Sequence, residues 1–449
     1  MSLVLGLRRI ASRQTVWTCR RMNSTAAETR EIDVLGTKYT PDAWTNATPS
    51  ILDKAGRNLL HHESHPLSIL KTLIFNEFPN FAHYDTLGPV VTTQQNFDSL
   101  GFAEDHPGRA RTDTYYLNAS HLLRTHTSAH QLQLLAAAHT NDNSVLVHAK
   151  NAQAAPNNER FLVAADVFRR DEIDASHYPV FHQMEGVCTL SHADVQKLAP
   201  STPDDIVDIG PENPVQPGHT AEDVHKVAAD MKRTMNRMVT RILTQATAAQ
   251  RDAGSEATEF PVRWIPAYFP FTSPSWEMEV LFRGEWLEIC GCGVMQQSIL
   301  QNAHANDCIG WAFGFGLERL AMLLFSIPDI RLFWSTDPRF SNQFAPAQIS
   351  SFRPFSKHPP CPKDVSFWIS PDHSFHDNDL MDLVRDVAGD LAQDVKLVDE
   401  FVHPKTGRAS RCYRINYCSM DRNVTHAEIN DIQDRVRSRL VSEFGVTLR

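Results

Sequence analysis

The positions of apolar residues predict an alternation of helices and strands along most of the chain. Leu67, Leu70, Ile74 and Phe78 recur at steps of three and four residues after Pro66, which favours a helix with proline in its first turn. Residues 221–250 extend the same periodicity and predict a long amphipathic helix. Runs of β-branched and aromatic residues predict strands at Leu87–Thr93, Val262–Ile265, Glu277–Phe282 and Glu285–Cys290.

The segment from about 355 to 449 predicts a domain of its own. A strand at Asp364–Ile369 precedes a helical stretch, then two strands joined by the turn PKTGR, a second helical stretch and the short strand GVTLR. This order, β-α-β-β-α-β, is that of a ferredoxin-like domain. We therefore expect an α+β protein, with 335–354 as a linker because that stretch has little periodicity.

The stretch FRRDEIDASHYPVFHQMEG, from Phe168 to Gly186, predicts two strands joined by a polar loop. Arg169 ends the first strand, and the second places Gln183 and Glu185 two residues apart, so that both side chains project from one face. An arginine opposite an amide and a carboxylate suits a zwitterionic substrate joined to a phosphate. The alternative interpretation is a charged hairpin that is simply solvated.

A second polar cluster lies in HLLRTHTSAHQLQLLAAAH. The apolar periodicity predicts a helix from Ser128, which would cap it. His126, Ser128, His130 and Gln131 stand at its start, where free backbone N–H groups favour an anionic group.

The sequence GWAFGFGLERLAMLLF combines glycines with a helical pattern. Arg319 lies among Leu317, Leu320 and Leu323, and we expect such a buried guanidinium to require an anion or an acid partner. Gly314 and Gly316 would let a ligand approach the backbone. An internal pair of Arg319 with its neighbour Glu318 is the alternative. The chain has no GxxxxGK[ST] sequence, so a nucleotide site here would not be a P-loop.

Basic residues gather on the C-terminal hairpin, at Lys405, Arg408, Arg411 and Arg414. We expect them on one face, opposite the face that carries Tyr413, Ile415 and Tyr417. A basic hairpin in an otherwise acidic chain suggests contact with a phosphate backbone, although a solvated hairpin is the plainer alternative.

Composition restricts the remaining choices. The first 27 residues hold five arginines and several hydroxyl residues but no acid, which is typical of a mitochondrial presequence, with a disordered basic tail as the alternative. The chain has 43 basic and 53 acidic residues, so losing this segment would leave a distinctly acidic protein. No apolar run approaches the roughly 20 residues that span a bilayer, so no membrane association is expected. The eight cysteines lack zinc spacing.

Taken together, these segments closely resemble the class II aminoacyl-tRNA synthetases, and within them the single-chain mitochondrial phenylalanyl-tRNA synthetases. LGPVV resembles motif 1, FRRDEIDASHYPVFHQMEG motif 2 and GFGLERLAM motif 3. The stretches DHPGRARTDTYYL, LLRTHTS, YFPFTSPSWEMEV and EICGCGV resemble the signatures for phenylalanine. The resemblance runs from about His65 to the C-terminus and implies an antiparallel-sheet catalytic domain over 65–334 and a ferredoxin-fold anticodon-binding domain over 355–449, with 28–64 as an N-terminal extension.

The resemblance also implies roles for individual residues. ATP would be bound by Arg169 and Arg319, the catalytic arginines, together with His177 of the closing loop, Phe181 against adenine and Glu288, which is also the candidate magnesium ligand. Phenylalanine would be bound by His126, Ser128, His130, Gln131, Gln183, Glu185, Phe269, Phe271, Ala312 and Phe313, with the two phenylalanines of FPF contacting its ring edge-on. The anticodon domain would contact tRNA through Lys405, Arg408, Arg411 and Arg414.

The activity that the resemblance implies is attachment of phenylalanine to mitochondrial tRNA(Phe), with His177 among the catalytic residues. ATP and Mg²⁺ would be required, with neither zinc nor an organic cofactor, and the enzyme would act as a monomer in the mitochondrial matrix. Two positions depart from the family pattern. Asp171 replaces the glutamate of motif 2, and Ser273 stands where an acid follows FPFT, so that Glu277 or Glu279 is expected to substitute.

Two other interpretations fit the same residues. The first is a ligase of this fold that activates another amino acid or uses an acceptor other than tRNA, which FPF and GCG argue against. The second is a non-catalytic RNA-binding protein, which the presence of Arg169, Glu185 and Arg319 argues against.

Overall fold

The computed structural model describes residues 31–140, 142–146, 149, 159–200, 209–252, 260–282, 284–354, 358–370 and 375–449. The predicted presequence lies outside these residues. The strands are β1 Ile32–Val34, β2 Thr37–Tyr39, β3 Ala82–Tyr84, β4 Val90–Thr92, β5 Tyr116–Asn118, β6 His121–Leu123, β7 Arg160–Phe168, β8 Val180–Ser191, β9 Val262–Phe269, β10 Thr272–Phe282, β11 Glu285–Met295, β12 Cys308–Gly316, β13 Cys361–Trp368, β14 Ala392–Val402, β15 Ala409–Tyr417 and β16 Thr447–Leu448. The helices are α1 Pro49–Leu52, α2 Pro66–Glu77, α3 Thr93–Asn96, α4 Gln131–Thr140, α5 Asn143–Leu146, α6 His192–Val195, α7 Ala221–Asp252, α8 Gln297–Asn302, α9 Leu317–Leu324, α10 Pro338–Ser341, α11 Asp377–Ala388 and α12 His426–Phe444.

A seven-stranded sheet forms the centre of the first domain, in the order β3-β7-β8-β12-β11-β10-β9. Its neighbours pair antiparallel except for β3 with β7. Successive side chains of a strand project from opposite faces, so each central strand contributes to both sides of the sheet. This arrangement confirms the expected antiparallel catalytic fold.

One face of this sheet is covered by helices. Met184, Phe313 and Phe315 project from it into a core that also contains the apolar stripes of α2, α7 and α9. The long helix α7 adds a polar contact, because Asp230 accepts a hydrogen bond from the indole N–H of Trp311 at 3.0 Å. The other face is covered in part by α4 and α8. Its uncovered part, the open face, borders the cavity described below.

Several elements differ in extent from the sequence prediction. Strands β9, β10 and β11 run on beyond the predicted spans, since pairing in a central sheet outweighs the low strand propensity of glycine and proline. The helix expected from Ser128 begins instead with a 3₁₀ turn at Thr127–His130 and becomes α-helical at Gln131. The stretch 335–354 contains α10, and its Phe340, Phe344 and Phe352 are buried in the main core.

The C-terminal domain has the expected β-α-β-β-α-β order, and its sheet runs β14-β15-β13-β16. Helices α11 and α12 cover one face, where Val365, Phe367, Tyr413 and Ile415 are buried. The ferredoxin-like fold is therefore confirmed. No helix of the described chain is both long and apolar enough to cross a membrane.

The C-terminal domain packs against the loop between β7 and β8. Arg170 makes ion pairs with Asp382 and, at 3.0 Å, with Asp379, both on α11. The hydroxyl of Tyr115 donates to Asp382 at 2.7 Å, and the backbone N–H of Val395 donates to the carbonyl of Ile173 at 3.0 Å. The loop that follows the first predicted site arginine is thus held by the other domain.

Candidate active site

The open face of the seven-stranded sheet forms the floor of a cavity of about 530 Å³. Its walls come from the segment between Phe97 and Thr114, the residues Thr125–Ser128, the hairpin between β9 and β10, and the polar residues that begin the loop after β7. Predicted site residues that border it are His126, Ser128, Arg169, Gln183, Glu185, Phe269, Phe271, Glu288, Ala312 and Phe313.

Two glycines keep the floor low. Gly291 and Gly314 are paired across β11 and β12, and Gly314 is in turn paired with Glu185 of β8. A Cβ added at Gly314 would have no atom of the described residues within 4 Å, so a side chain there would occupy the cavity itself. A Cβ at Gly291 would stand 2.7 Å from the ring of Phe269. The glycine of the CGC sequence therefore makes room for an aromatic wall.

That wall is built from stacked rings. Phe269 and Phe271 lie with centroids 5.8 Å apart and planes at 15°. Phe102 continues it, with its ring 6.1 Å from Phe271 and stacked at 5.6 Å on His126. The rings bound a space suited to a flat apolar group, and edge-to-face contact with an added ring would contribute about 0.5–1.5 kcal/mol beyond burial.

The polar end of the cavity is formed by Glu185. Its Oε1 accepts a hydrogen bond from Nε2 of Gln131 at 2.8 Å, whereas its Oε2 is buried without a hydrogen-bond partner among the described residues. Burial raises the pKa of Glu185 to about 7, against the opposing effect of Ser128, Thr127 and Gln131. A buried carboxylate oxygen that has no donor is suited to bind an ammonium group of a ligand.

His126 of the HTS segment and His130, two residues after it, have different surroundings. Both ring nitrogens of His126 are buried without a side-chain partner among the described residues. Burial, aided by the charge of Arg169, lowers the pKa of His126 to about 3. His126 is therefore neutral and able to serve a ligand. His130 does not border the cavity, because its Nε2 lies 2.9 Å from Nη1 of the buried Arg124. It belongs to a network in which Arg124 also binds Asp166 and the carbonyls of Leu87 and Gly88.

Arg169 borders the cavity and is fixed on two sides. Its Nε donates to the carbonyl of Thr125 at 2.8 Å, and its guanidinium carbon lies 5.2 Å from the ring centre of Phe181. Burial lowers the pKa of Arg169, against the opposing charges of Asp171 and Glu288. A preorganised guanidinium with free N–H groups is suited to bind a carboxylate or a phosphate.

Arg319 lies beside Glu288, with its Nη1 3.7 Å from Oε2 of the glutamate. The Arg319 side chain is 36% exposed, so the expectation of a buried arginine is wrong. The helix turns its apolar residues inward and leaves Arg319 towards solvent. The pKa of nearby Glu277 is raised by burial and by the charges of Glu288 and Glu279. Two arginines and several carboxylates therefore share one end of the open face.

The alternative of an internal Glu318–Arg319 pair is also excluded by the geometry. Glu318 is buried and accepts from the backbone N–H of His182 at 2.8 Å and from its ring Nδ1 at 2.7 Å. Through this contact α9 is fastened to β8, which aligns Arg319 with the strand that carries Gln183 and Glu185.

The family relations of the chain agree with this site. The family described as tRNA synthetases class II core domain (F) matches residues 52–202 and 224–344, and the ferredoxin-fold anticodon binding domain matches 356–449. The mitochondrial phenylalanine–tRNA ligase of Saccharomyces cerevisiae is 46% identical over 93% of this chain and 95% of its own length. The chain belongs to the phenylalanine–tRNA ligases.

Other members of the ligase family are similarly close. The mitochondrial enzyme of Mus musculus is 44% identical, over 92% of this chain and 88% of its own length. A probable mitochondrial phenylalanine–tRNA ligase of Drosophila melanogaster is 39% identical over the whole of both chains. Both family domains expected from the sequence are therefore present in their expected order.

Within this ligase fold, two expected ligand residues, His130 and Gln131, do not border the cavity, and a third, Phe313, borders it with its ring turned away. The ring of Phe313 packs on the helix-covered face against Phe78 and Trp311, since strand alternation turns it away from its neighbour Ala312. The assignment of Phe313 to the amino acid therefore stays a prediction. Gln131 reaches the site only through Glu185, and His130 only through Arg124.

His177 of the motif 2 loop does not border the main cavity. It lines a smaller cavity of about 100 Å³ between the domains, and its Nδ1 lies 2.8 Å from Asp174. The hydrogen bond with Asp174 raises the pKa of His177. Asp171 does border the main cavity, while Ser273 is absent from its lining and donates to the carbonyl of Pro214 at 2.8 Å.

The four basic residues of the C-terminal hairpin do not form one surface, which corrects the expected cluster. Arg411 shares the helix-covered face with Tyr413 and forms ion pairs with Asp377 and Glu400. Arg414 projects from the opposite face, paired with Asp364 at 2.8 Å. Residues 411 and 414 differ by an odd number, so strand alternation separates them.

Sequence reasoning missed several contributors to the site. Phe102 and His106 complete its aromatic side, with ring centres 4.7 Å apart, and the polar segment around them had no recognisable periodicity. Arg124 was also missed, although a charged residue between LL and THTS is a signal of a buried ion pair. The contact of the C-terminal domain with Arg170 through Asp382 has no recognisable pattern in the sequence around either residue.

Proposed function

We propose that this protein attaches L-phenylalanine to tRNA(Phe) in the mitochondrial matrix, acting as a monomer. The observation that carries the proposal is a single cavity with two ends of different character. One end has the rings of Phe269 and Phe271, and the other has the buried carboxylate of Glu185. A ligand with an aromatic ring at one end and an ammonium group at the other fits both.

In the first step the phenylalanine carboxylate attacks the α-phosphorus of ATP, and the bond to the β-phosphate oxygen breaks to release pyrophosphate. Glu185, Gln183 and His126 hold the amino group and backbone of the amino acid, and Arg169 lies where carboxylate and α-phosphate meet. Catalysis then rests on alignment and neutralisation of charge rather than on covalent protein chemistry. The partly exposed side chain of Arg319 reaches the γ-phosphate and packs on one face of the adenine. Phe181 covers the other face.

The carboxylates beside Arg319 fit a magnesium ion. Glu277 and Glu288 present hard oxygen ligands. Burial, together with the charges of Glu288 and Glu279, raises the pKa of Glu277. When bound, Mg²⁺ supplies charge neutralisation and orientation of the phosphates. Glu277 takes the place of the acid that Ser273 lacks.

In the second step a ribose hydroxyl of the terminal adenosine of tRNA attacks the carbonyl carbon of the adenylate, and AMP leaves with the bonding electrons. The class II core carries the chemistry, and the ferredoxin-fold domain provides the contact with the anticodon arm. Arg408 and Lys405 of its hairpin contribute positive charge to that contact.

Phenylalanine-dependent ATP–pyrophosphate exchange by the chain lacking residues 1–27 tests the first step, and charging of a tRNA(Phe) transcript tests the second. We expect both, with exchange reduced at least a hundredfold in Arg169→Ala and Arg319→Ala, since each removes a charge from the transition state. Faster exchange with another amino acid, or tRNA binding without any exchange, would favour the rival interpretations.

A further inference from the structure

The C-terminal sheet has one face that no helix of the described chain covers. Across this face the strand register places Phe401 of β14 opposite Ser410 of β15, Ser410 opposite Trp368 of β13, and Trp368 opposite Thr447 of β16. Residues paired in this way project from the same side of a sheet. Two large aromatic residues therefore stand in one row, separated only by a serine.

The rings of this row form a compact group with His403. Trp368 and Phe401 lie with centroids 6.0 Å apart at 67°, and Trp368 and His403 lie 6.2 Å apart at 66°. Ser410 is buried between the two strands, and its small side chain lets the rings approach each other. Phe401 nevertheless remains 40% exposed. Exposed aromatic residues in a group usually mark a binding surface.

Two arginines border the same rings. The guanidinium carbon of Arg408 lies 5.4 Å from the Trp368 ring, and that of Arg449 lies 5.6 Å from Trp368 and 5.8 Å from Phe401. Within the described part of the chain, neither arginine forms an ion pair with an acidic side chain, in contrast to Arg411 and Arg414. The cations beside the rings keep their charge available.

We propose that the row formed by Trp368 and Phe401 stacks an unpaired base of the tRNA anticodon loop, while Arg408 and Arg449 hold the adjoining phosphates. Any nucleobase offers a flat face to an aromatic ring, and guanidinium groups match the phosphates that flank it. The charge is complementary to RNA although the chain as a whole is acidic. The inference rests on the proposed tRNA-charging function. Of the predicted set it keeps Arg408, and it adds Trp368, Phe401 and Arg449 to the anticodon contact.

The affinity of the full chain for a tRNA(Phe) transcript tests the stacking. We expect Trp368→Ala to weaken binding about tenfold, since loss of one stacked base costs roughly 1–3 kcal/mol, whereas Trp368→Phe keeps most of the affinity. Val441→Ala is the matched control, because Val441 is an exposed apolar residue of the same domain on α12. Thermal unfolding of each variant excludes loss of the fold as the cause.

The RNA side of the contact supplies a second measurement. The unmodified chain should bind a transcript with abasic nucleotides in the anticodon loop about tenfold more weakly than the intact transcript. The Trp368→Ala variant should bind the two transcripts equally well. Arg408→Gln should instead lower the slope of log affinity against log salt by about 0.7–1, and Trp368→Ala should leave that slope unchanged.

Phenylalanine-dependent exchange needs no tRNA and separates the two proposals. If exchange is intact and Trp368→Ala binds both transcripts as Val441→Ala does, the stacking proposal is overturned. The stacking proposal is also overturned if Trp368→Ala changes the sedimentation of the protein but not its tRNA affinity, since the row would then mediate contact between protein chains. A chain without exchange that still loses tRNA affinity on Trp368→Ala would overturn the charging function and keep the base-stacking surface.

Discussion

Gly314 stands directly opposite Glu185 in the ladder between β12 and β8, so the carboxylate lies beside a position with no side chain. Because nothing in the described structure lies within 4 Å of a Cβ built there, Gly314→Ala should fold normally and place its methyl group in the cavity. We expect the KM for phenylalanine in exchange to rise at least tenfold with little change in Tm. Gly210→Ala, which also has free space but lies outside the cavity lining, is the control and should leave both values unchanged.

The hydrogen bond from Gln131 to Glu185 should control amino-acid binding from outside the cavity. Gln131→Leu removes a neutral donor to a buried carboxylate, a loss of about 1 kcal/mol, and should raise the KM for phenylalanine about fivefold. The KM for ATP should not change, because Gln131 lies away from Arg319 and Glu288. Equal changes in both KM values in pyrophosphate exchange would contradict a specific role at the ammonium group.

The pKa of about 7 at Glu185 predicts a pH dependence of binding. The ionised carboxylate is the form that attracts an ammonium group, so the KM for phenylalanine should fall as the pH rises from 6 to 8. His126, with a pKa of about 3, does not titrate in that range. In Glu185→Gln the KM should be higher, and its change with pH should disappear. A KM that rises towards pH 8 in the unmodified chain would contradict this assignment.

The same shift makes a prediction about stability. The pKa of Glu185 is raised from its ordinary value of 4.5, so between pH 4.5 and 7 the folded chain holds a proton that the unfolded chain releases. The contribution of this group to the free energy of unfolding therefore decreases as the pH rises through that window and stays low above it. Chemical denaturation should show Glu185→Gln gaining stability relative to the unmodified chain from pH 5 to 7. A constant difference would count against the shift.

Gly291 and Phe269 should be coupled, because a methyl group at Gly291 would meet the Phe269 ring. Gly291→Ala should lower Tm and raise the KM for phenylalanine by displacing the aromatic wall. Combining it with Phe269→Leu should restore Tm, because the smaller leucine avoids the clash with the added methyl group. The KM should stay high, because leucine also lacks the ring that forms the aromatic wall. Additive effects on Tm in the double variant would show that the two residues act independently.

The ion pair between Arg170 and Asp382 should hold the domains together. Asp382→Ala removes an acidic partner of both Arg170 and Arg385 and leaves Tyr115 without its acceptor, and should cost about 2 kcal/mol in the free energy of unfolding. Asp434→Ala is the control, because its ion pair with Arg437 is exposed on α12 and should contribute almost nothing. Unfolding in denaturant distinguishes them, and equal midpoints would contradict the proposed role of the interface.

Much of the fold was predictable because its elements have strong patterns of their own. Helix α7 and the ferredoxin-like order follow from hydrophobic periodicity, and the pair of Gln183 with Glu185 follows from the alternation of a strand. The central strands were predicted too short, since their glycines and prolines are poor local strand formers. Pairing with neighbouring strands decides their length, and that information is not contained in the local sequence of each strand.

The site was less predictable where the direction of a side chain depends on packing. Phe313 and Ala312 are adjacent in sequence and face opposite sides of the sheet. Arg319 is partly exposed although Leu317, Leu320 and Leu323 are buried around it in sequence. The helix period and the strand parity determine these directions, but only once the exact register is known. The contact of Arg170 with Asp382 spans 212 residues, and no short-range pattern indicates it.

Along the catalytic segments, residues that anchor the fold stand next to residues predicted to contact substrates. His182 and Glu318 are buried and bind each other, whereas their neighbours Gln183 and Arg319 are the less buried residues. Both Arg169 and Arg170 border the cavity, but Arg170 is held by ion pairs with the C-terminal domain. The two kinds of position can therefore change independently in evolution. A library that keeps His182, Glu318 and Arg170 and varies Gln183 and Arg319 should therefore change substrate binding while the fold stays above its stability threshold, which makes this scaffold suitable for charging tRNA with other amino acids.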